Sequence, residues 1–197
     1  PDAPALLPPT DPAAAPALAS QAAPPAPTAE AALSAPAPPA VAAGHVLAIG
    51  DSVMIGAAKQ LRSAISDIEV DAKVSRQAVT TVKLIRARRE AGQLGDVVVI
   101  HIGTNGPFSA QRFDEIMAQL VDVRRVVILT VKVPRRWEAP NNSMLIEGVA
   151  RYPNAVLVDW RTASADHPEL FTRDGIHLRP AGARLFADLV AAAVNAP

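Results

Sequence analysis

The chain has 197 residues, enough for one domain with a full core but short for two. Nineteen Lys and Arg balance nineteen Asp and Glu, so no charge excess marks the chain for nucleic acid. Cysteine is absent, which excludes disulfides, thiolate metal sites and a Cys nucleophile, and no apolar run approaches the ~18 residues of a membrane span.

Twelve of the nineteen prolines fall between Pro1 and Pro39, in a stretch otherwise dominated by Ala. Without large apolar side chains to offset the entropy of ordering, residues 1–43 are expected to be a disordered Pro/Ala-rich linker, semi-stiff through its polyproline-like bias. The first residue is Pro rather than Met, as in a chain processed or cut from something longer, and a removed signal peptide or membrane region would leave no trace here. Residues 44–197 hold nineteen basic against sixteen acidic side chains, a net +3. That is too little for an electrostatic claim about nucleic acid, and Arg86, Arg88 and Arg89 read as the solvated face of a helix.

From Gly44 the pattern changes. His45 to Ile49 reads as a buried strand, Gly50-Asp51-Ser52 as the turn leaving it, and Val53 to Ile65 as a helix with Ile55, Ala58, Leu61 and Ile65 near one stripe. Ile68 to Val74 alternates as a second strand, and Val79 to Ala91 is a basic amphipathic helix ended by Gly92. Val97 to Ile102 is a continuous apolar run, as in a central parallel strand. Ser109 caps a helix to about Val121; Arg125 to Val131 and Ala155 to Val158 supply two more strands. Ala181 to Val194 closes the domain as a helix started after Pro180. Strands alternating with helices predict a three-layer α/β/α sandwich around a five-stranded parallel sheet, with ligands bound beyond the carboxyl ends of the strands. The polar clusters Gly50-Asp51-Ser52 and Gly103-Thr104-Asn105-Gly106 both follow strands and belong on that rim.

Each chemical candidate has a plain alternative. Ser52 sits where a nucleophile projects over the sheet edge, with helix amides and dipole ready for an oxyanion; Ser52 or Asp51 is equally placed as a mere N-cap. His177 can take a serine proton if its other nitrogen is held by Asp174, three residues upstream, with Gly175 easing the turn; the alternative is a surface loop. Asn105 can donate its amide to an oxyanion or simply form a turn beside Gly. His101, inside an apolar strand with no second ligand at useful spacing, reads as a hydrogen-bonded core or rim histidine, and neither a metal nor a cofactor is expected. A hydroxyl, an imidazole with its acid and an amide, all sent to one rim, are less readily explained by chance than any one of them.

Together these residues resemble the SGNH (GDSL-type) hydrolases over about Val46 to Val194, which implies the flavodoxin-like SGNH fold. Gly50-Asp51-Ser52 looks like the family's first block, with Ser52 as nucleophile; Gly103-Thr104-Asn105 looks like the third, whose Asn donates to the oxyanion. Asp174-Gly175-Ile176-His177 looks like the fifth, supplying acid and base. The finer resemblance is to the extracytoplasmic SGNH domain attached to membrane acyltransferases of the peptidoglycan O-acetyltransferase type. It rests on IGDSVMIGA (Ile49 to Ala57), VDAKVSRQ (Val70 to Gln77), HIGTNG (His101 to Gly106), VPRRWEAPNN (Val133 to Asn142) and DGIHL (Asp174 to Leu178).

That resemblance implies an oxyanion hole from the Ser52 amide, the Arg76 amide and Asn105, with Trp137 bordering an acceptor groove. The second-block Gly is replaced by Ser75 or Arg76, and the Asp usual after the third-block Asn is Gly106. It further implies an acyl donor, a cell-envelope glycan acceptor, an extracytoplasmic location and a membrane acyltransferase domain in the same full-length chain, spaced by the Pro/Ala segment. Three functions are consistent with these residues: acyl transfer through Ser52, carbohydrate acetylester hydrolysis at the same site, and glycan binding by a decayed site.

Overall fold

Period-two alternation along buried strands sets the architecture. Val46 and Ala48 of β1 (Val46–Gly50) point into one core while Leu47 and Ile49 point into another. A strand buried on both faces must be covered twice, so helices lie on either side of the sheet. The computed structural model describes residues 44–197, and the linker expected over 1–43 lies outside the described residues.

The sheet is parallel throughout, in the order β2-β1-β3-β4-β5, with β2 (Ile68–Ala72), β3 (Val97–His101), β4 (Arg125–Leu129) and β5 (Ala155–Val158). On one face, Met54, Ala57 and Leu61 of α1 (Ser52–Ala64) join Phe186, Ala187 and Val190 of α6 (Pro180–Asn195). On the other, Ile85 of α2 (Ala78–Glu90), Phe113 and Ile116 of α3 (Ala110–Ala118) and Leu145 of α4 (Glu138–Val149) complete the second core. Each of the larger of these side chains contributes about 1.5–3 kcal/mol by leaving water, and together these two layers fix the sheet.

The order places a switch point between β1 and β3, where consecutive connections leave in opposite directions. Register makes the rim concrete: Gly50 pairs with Ala72 on one side and with His101 on the other. The chain therefore leaves β1, β2 and β3 at the same level. Ser52, the Lys73–Arg76 turn and Asn105 all follow from that edge.

The expected strands and helices occur within a few residues of their predicted limits. One stretch differs in kind. VPRRWEAPNN, assigned no helix or strand from the sequence, enters α4 at Glu138, and a short α5 (Trp160–Ala163) and a 3-10 turn at Pro168–Leu170 follow later. Pro140 and two Asn disguise the helix start. Pro140 falls in the first turn, where a missing N–H costs no intrahelical bond.

Candidate active site

Ser52 is the first residue of α1, and Asp51 caps that helix by accepting the Val53 N–H at 3.0 Å. The N-cap role therefore belongs to Asp51, leaving the Ser52 hydroxyl uncommitted to the helix. That hydroxyl meets His177 Nε2 at 3.0 Å. The other ring nitrogen, Nδ1, lies 2.6 Å from Asp174 Oδ2. Hydroxyl, imidazole and carboxylate thus form one continuous line.

The loop carrying His177 is organised by the same carboxylate. Asp174 Oδ1 accepts the Ile176 N–H at 2.8 Å, the His177 N–H at 3.0 Å and the Thr172 hydroxyl at 2.8 Å. Gly175, at φ +69°, supplies the left-handed residue this tight turn needs. Below the turn, Thr172 N–H donates to the His177 carbonyl at 2.7 Å, and Phe171 is buried against Trp160. Burial alone would raise the Asp174 carboxyl; the His177 ring, the two backbone N–H groups and the Thr172 hydroxyl outweigh it and hold the carboxyl well below its usual range. It is ionised at any working pH, which suits it to hold an imidazole N–H and leave Nε2 as acceptor.

Asn105 follows β3 and stands on the Ser52 side of the rim. Its Nδ2 donates to Asp51 Oδ2 at 3.2 Å and to the Arg76 carbonyl at 3.4 Å. The loop beneath it is pinned by a residue the sequence reading did not single out. Buried Asn141 of α4 donates from Nδ2 to the carbonyls of Gly103 and Gly106, both at 2.9 Å, and accepts the Phe108 N–H at 2.8 Å. Gly103, at φ +124°, lets the backbone pass; a Cβ there would meet Asn141 Nδ2 at 3.1 Å. The only hint in the sequence was an adjacent Asn pair after Pro140, a pattern with many other causes.

Arg76 departs from expectation. Its backbone amide donates to the Lys73 carbonyl at 3.2 Å and is spent inside the turn, so it is not aimed at the rim. Its guanidinium instead grips Asp71, with Nη2 to Oδ1 at 2.6 Å and Nη1 to the Asp71 carbonyl. The neighbouring Ser75, at φ +57°, has an N–H with no acceptor among the described residues. A left-handed conformation at a non-Gly residue explains why a glycine would be at home there.

His101 is fully buried and edge-on to Phe186, but neither ring nitrogen has a hydrogen-bond partner among the described residues. The core placement agrees with expectation; the hydrogen bond does not. Its Nδ1 lies 3.6 Å from Asp51 Oδ1, too long for one. Trp137 donates from Nε1 to the Thr104 carbonyl at 3.2 Å. With Asn105, Gln77, Val79 and Arg112 it lines a cavity of about 450 Å³ beside the Ser52 rim.

A hydroxyl hydrogen-bonded to an imidazole whose far nitrogen is held by a carboxylate can surrender its proton as it attacks a carbonyl. Among solved structures, the C-terminal catalytic domain of Streptococcus pneumoniae peptidoglycan O-acetyltransferase A, captured with a methylsulfonyl adduct, superposes with a TM-score of 0.65 at 25% identity, over 76% of this chain and 92% of that one. OatA of Staphylococcus aureus, named an O-acetyltransferase, is 34% identical over 145 residues, 73% of this chain and 24% of the relative. The chain belongs to the SGNH (GDSL-type) hydrolase family.

YrhL of Bacillus subtilis, whose name provisionally assigns it to peptidoglycan O-acetylation, is 37% identical over 153 residues, 78% of this chain and 24% of the relative. A carbohydrate esterase family 3 structure from Talaromyces cellulolyticus shares the SGNH fold, with a TM-score of 0.58 at 16% identity over 75% of this chain and 94% of that one. No family model matches the chain. It spans about a quarter of the length of the curated relatives it matches. In the SGNH domain no described helix is long and apolar enough to cross a membrane.

Proposed function

We propose that this SGNH domain is a serine O-acyltransferase that moves an acetyl group to a cell-envelope glycan hydroxyl, on the extracytoplasmic side of the membrane. The observation that carries the reading is the unbroken line from Ser52 Oγ through His177 to Asp174, at 3.0 and 2.6 Å. The names of the relatives support acetyl as the group and peptidoglycan as the acceptor class. Relatives about four times longer leave room for a membrane domain in the same chain that delivers the acyl donor.

The steps follow from the geometry. His177 Nε2 takes the Ser52 proton as Oγ bonds to the donor carbonyl carbon. The carbonyl π electrons move to oxygen, which receives hydrogen bonds from the Ser52 N–H at the start of α1, the Ser75 N–H and Asn105 Nδ2. The tetrahedral adduct collapses, the donor's leaving oxygen takes the proton from His177, and an acetyl ester remains on Ser52. A glycan hydroxyl then gives its proton to His177 and attacks that ester. Collapse returns the proton to Ser52 and releases the acetylated glycan.

Trp137 and the adjoining cavity offer the acceptor an aromatic face beside Asn105. His177 and Asp174 keep 49% and 45% of their side-chain surface exposed, so water reaches the same ester. That favours slow hydrolysis as a side reaction whenever glycan is absent. The test is mass spectrometry of the domain after exposure to an activated acetyl ester. One acetyl on Ser52, lost in Ser52→Ala and discharged faster by a glycan oligomer than by buffer, is expected. An adduct that survives Ser52→Ala overturns the site, and discharge unaffected by glycan overturns transfer.

A further inference from the structure

Directly beneath Ser52 lies a carboxylate that the transfer steps leave unused. Asp51 is fully buried, and its two oxygens serve different elements: Oδ1 accepts the Val53 N–H at 3.0 Å, while Oδ2 accepts from Asn105 Nδ2 at 3.2 Å. The second Asn105 contact, to the Arg76 carbonyl, is 3.4 Å long. A primary amide nitrogen has two hydrogens, so the resting structure has both engaged with protein acceptors. An oxyanion at Ser52 is reached only if one is released.

The two acceptors are unequal. The Arg76 carbonyl is neutral and its bond is near the limit of a hydrogen bond. Asp51 is ionised: burial pushes its carboxyl up, but facing His101, the Thr104 hydroxyl and the Val53 N–H bring it below the usual value. A bond to a buried charge is the stronger of the two and the costlier to break. Asp51 also settles which end of the amide faces it. A half-turn of the Asn105 side chain would press its carbonyl oxygen against the carboxylate.

We propose that Asp51 is a positioning residue for the oxyanion hole, its carboxylate anchoring one Asn105 amide hydrogen so that the other passes from the Arg76 carbonyl to the oxyanion. This rests on the acyl-transfer reading of Ser52 and Asn105. It gives the buried acid a role beyond helix capping, and it makes the Arg76 carbonyl the resting stand-in for the oxyanion.

Asp51→Asn separates capping from anchoring. Its Oδ1 still accepts the Val53 N–H, but an NH₂ group now faces the Asn105 NH₂. For aryl acetate turnover, kcat is expected to fall about 30–300-fold, below or near the ~10²–10³ of a lost oxyanion donor, with KM within about twofold. Asp51→Ser keeps a capping oxygen without the opposed NH₂ and is expected to lose kcat likewise, which covers the case in which the Asn variant fails to fold. The decisive readout is the cycle with Asn105→Ala. On that background either Asp51 variant should cost less than about threefold more, because both changes act through one amide. Losses that multiply, or an Asp51→Asn enzyme within about threefold of the parent, overturn the anchor. Should Asn105→Ala itself retain full turnover, the oxyanion assignment fails first, an outcome distinct from failure of the anchor alone.

Discussion

Replacing Asp174 by Asn tests whether this carboxylate fixes the histidine tautomer or only shapes its loop. An Asn Oδ1 can keep the three bonds from Ile176 N–H, His177 N–H and the Thr172 hydroxyl, so the turn should survive. At the other end an NH₂ replaces the oxygen now 2.6 Å from His177 Nδ1. Two donors cannot share that line. The ring must present an unprotonated Nδ1 to the amide and carry its proton on Nε2, facing Ser52. A donor there cannot accept the serine proton, so kcat is expected to fall about 10³–10⁴-fold, with donor KM nearly unchanged. Because Asp174 is half exposed, the stability loss should stay near ~1 kcal/mol, a shift of a few degrees in melting temperature. Steady-state hydrolysis of an aryl acetate and thermal melting read the two effects separately. An Asp174→Asn domain within tenfold of the parent would refute the tautomer argument. A large drop in melting temperature would show that the charge, not the turn, holds the loop.

Three further outcomes are expected of the same fold. Gly182→Ala would place a Cβ on the Leu170 carbonyl oxygen, and backbone yields poorly; a loss of about 1–3 kcal/mol in chemical denaturation is expected, and an unchanged midpoint would refute the clash. Trp137→Leu should raise the KM for a glycan acceptor about tenfold more than that for an aryl acetate, whereas Trp137→Phe, which keeps a ring face, should recover most of the difference; equal effects on both substrates would argue against an acceptor groove. The third concerns pH. The folded Asp174 carboxyl titrates below its unfolded value, so its stabilisation is fully present above about pH 4 and disappears only as pH falls through the lower folded value. Melting temperature should therefore change less between pH 3 and pH 5 in Asp174→Asn than in the parent, and parallel curves would contradict the shift.

Much of the fold was legible because its signals are local and redundant. Continuous apolar runs at Val46 and Val97 named the central strands, and the residues after them, Ser52 and Asn105, were bound to share a rim once the sheet was parallel. α4 was hidden by Pro140 and its Asn neighbours, residues that break a helix interior yet are tolerated in a first turn. Asn141 was missed for a related reason. Its three bonds reach a loop more than thirty residues away, and nothing in a local window reports such a partner. The Arg76 amide is spent inside its turn, and that depends on backbone dihedrals such as the left-handed φ of Ser75, which no residue pattern in the sequence reports.

These long-range bonds determine how the site responds to perturbation. The His177 loop organises itself: one carboxylate, one glycine and one threonine hydroxyl make its turn within a few residues. Asn105, by contrast, depends on three separate elements, with Asp51 at the start of α1, Arg76 on the β2–α2 turn and Asn141 on α4. Distant substitutions should therefore act mainly on the oxyanion side and spare the imidazole. Asn141→Leu, similar in volume, removes the ties to Gly103, Gly106 and Phe108, and it leaves their polar groups unpaired at about 1–3 kcal/mol each. The Asn105 loop then loses its floor while Ser52, His177 and Asp174 keep theirs. Labelling of Ser52 by a small sulfonyl fluoride should persist within about tenfold, while aryl acetate turnover falls by more than about a hundredfold, as expected when oxyanion support is lost. Parallel loss of labelling and turnover would mean that the two halves of the site are mechanically one.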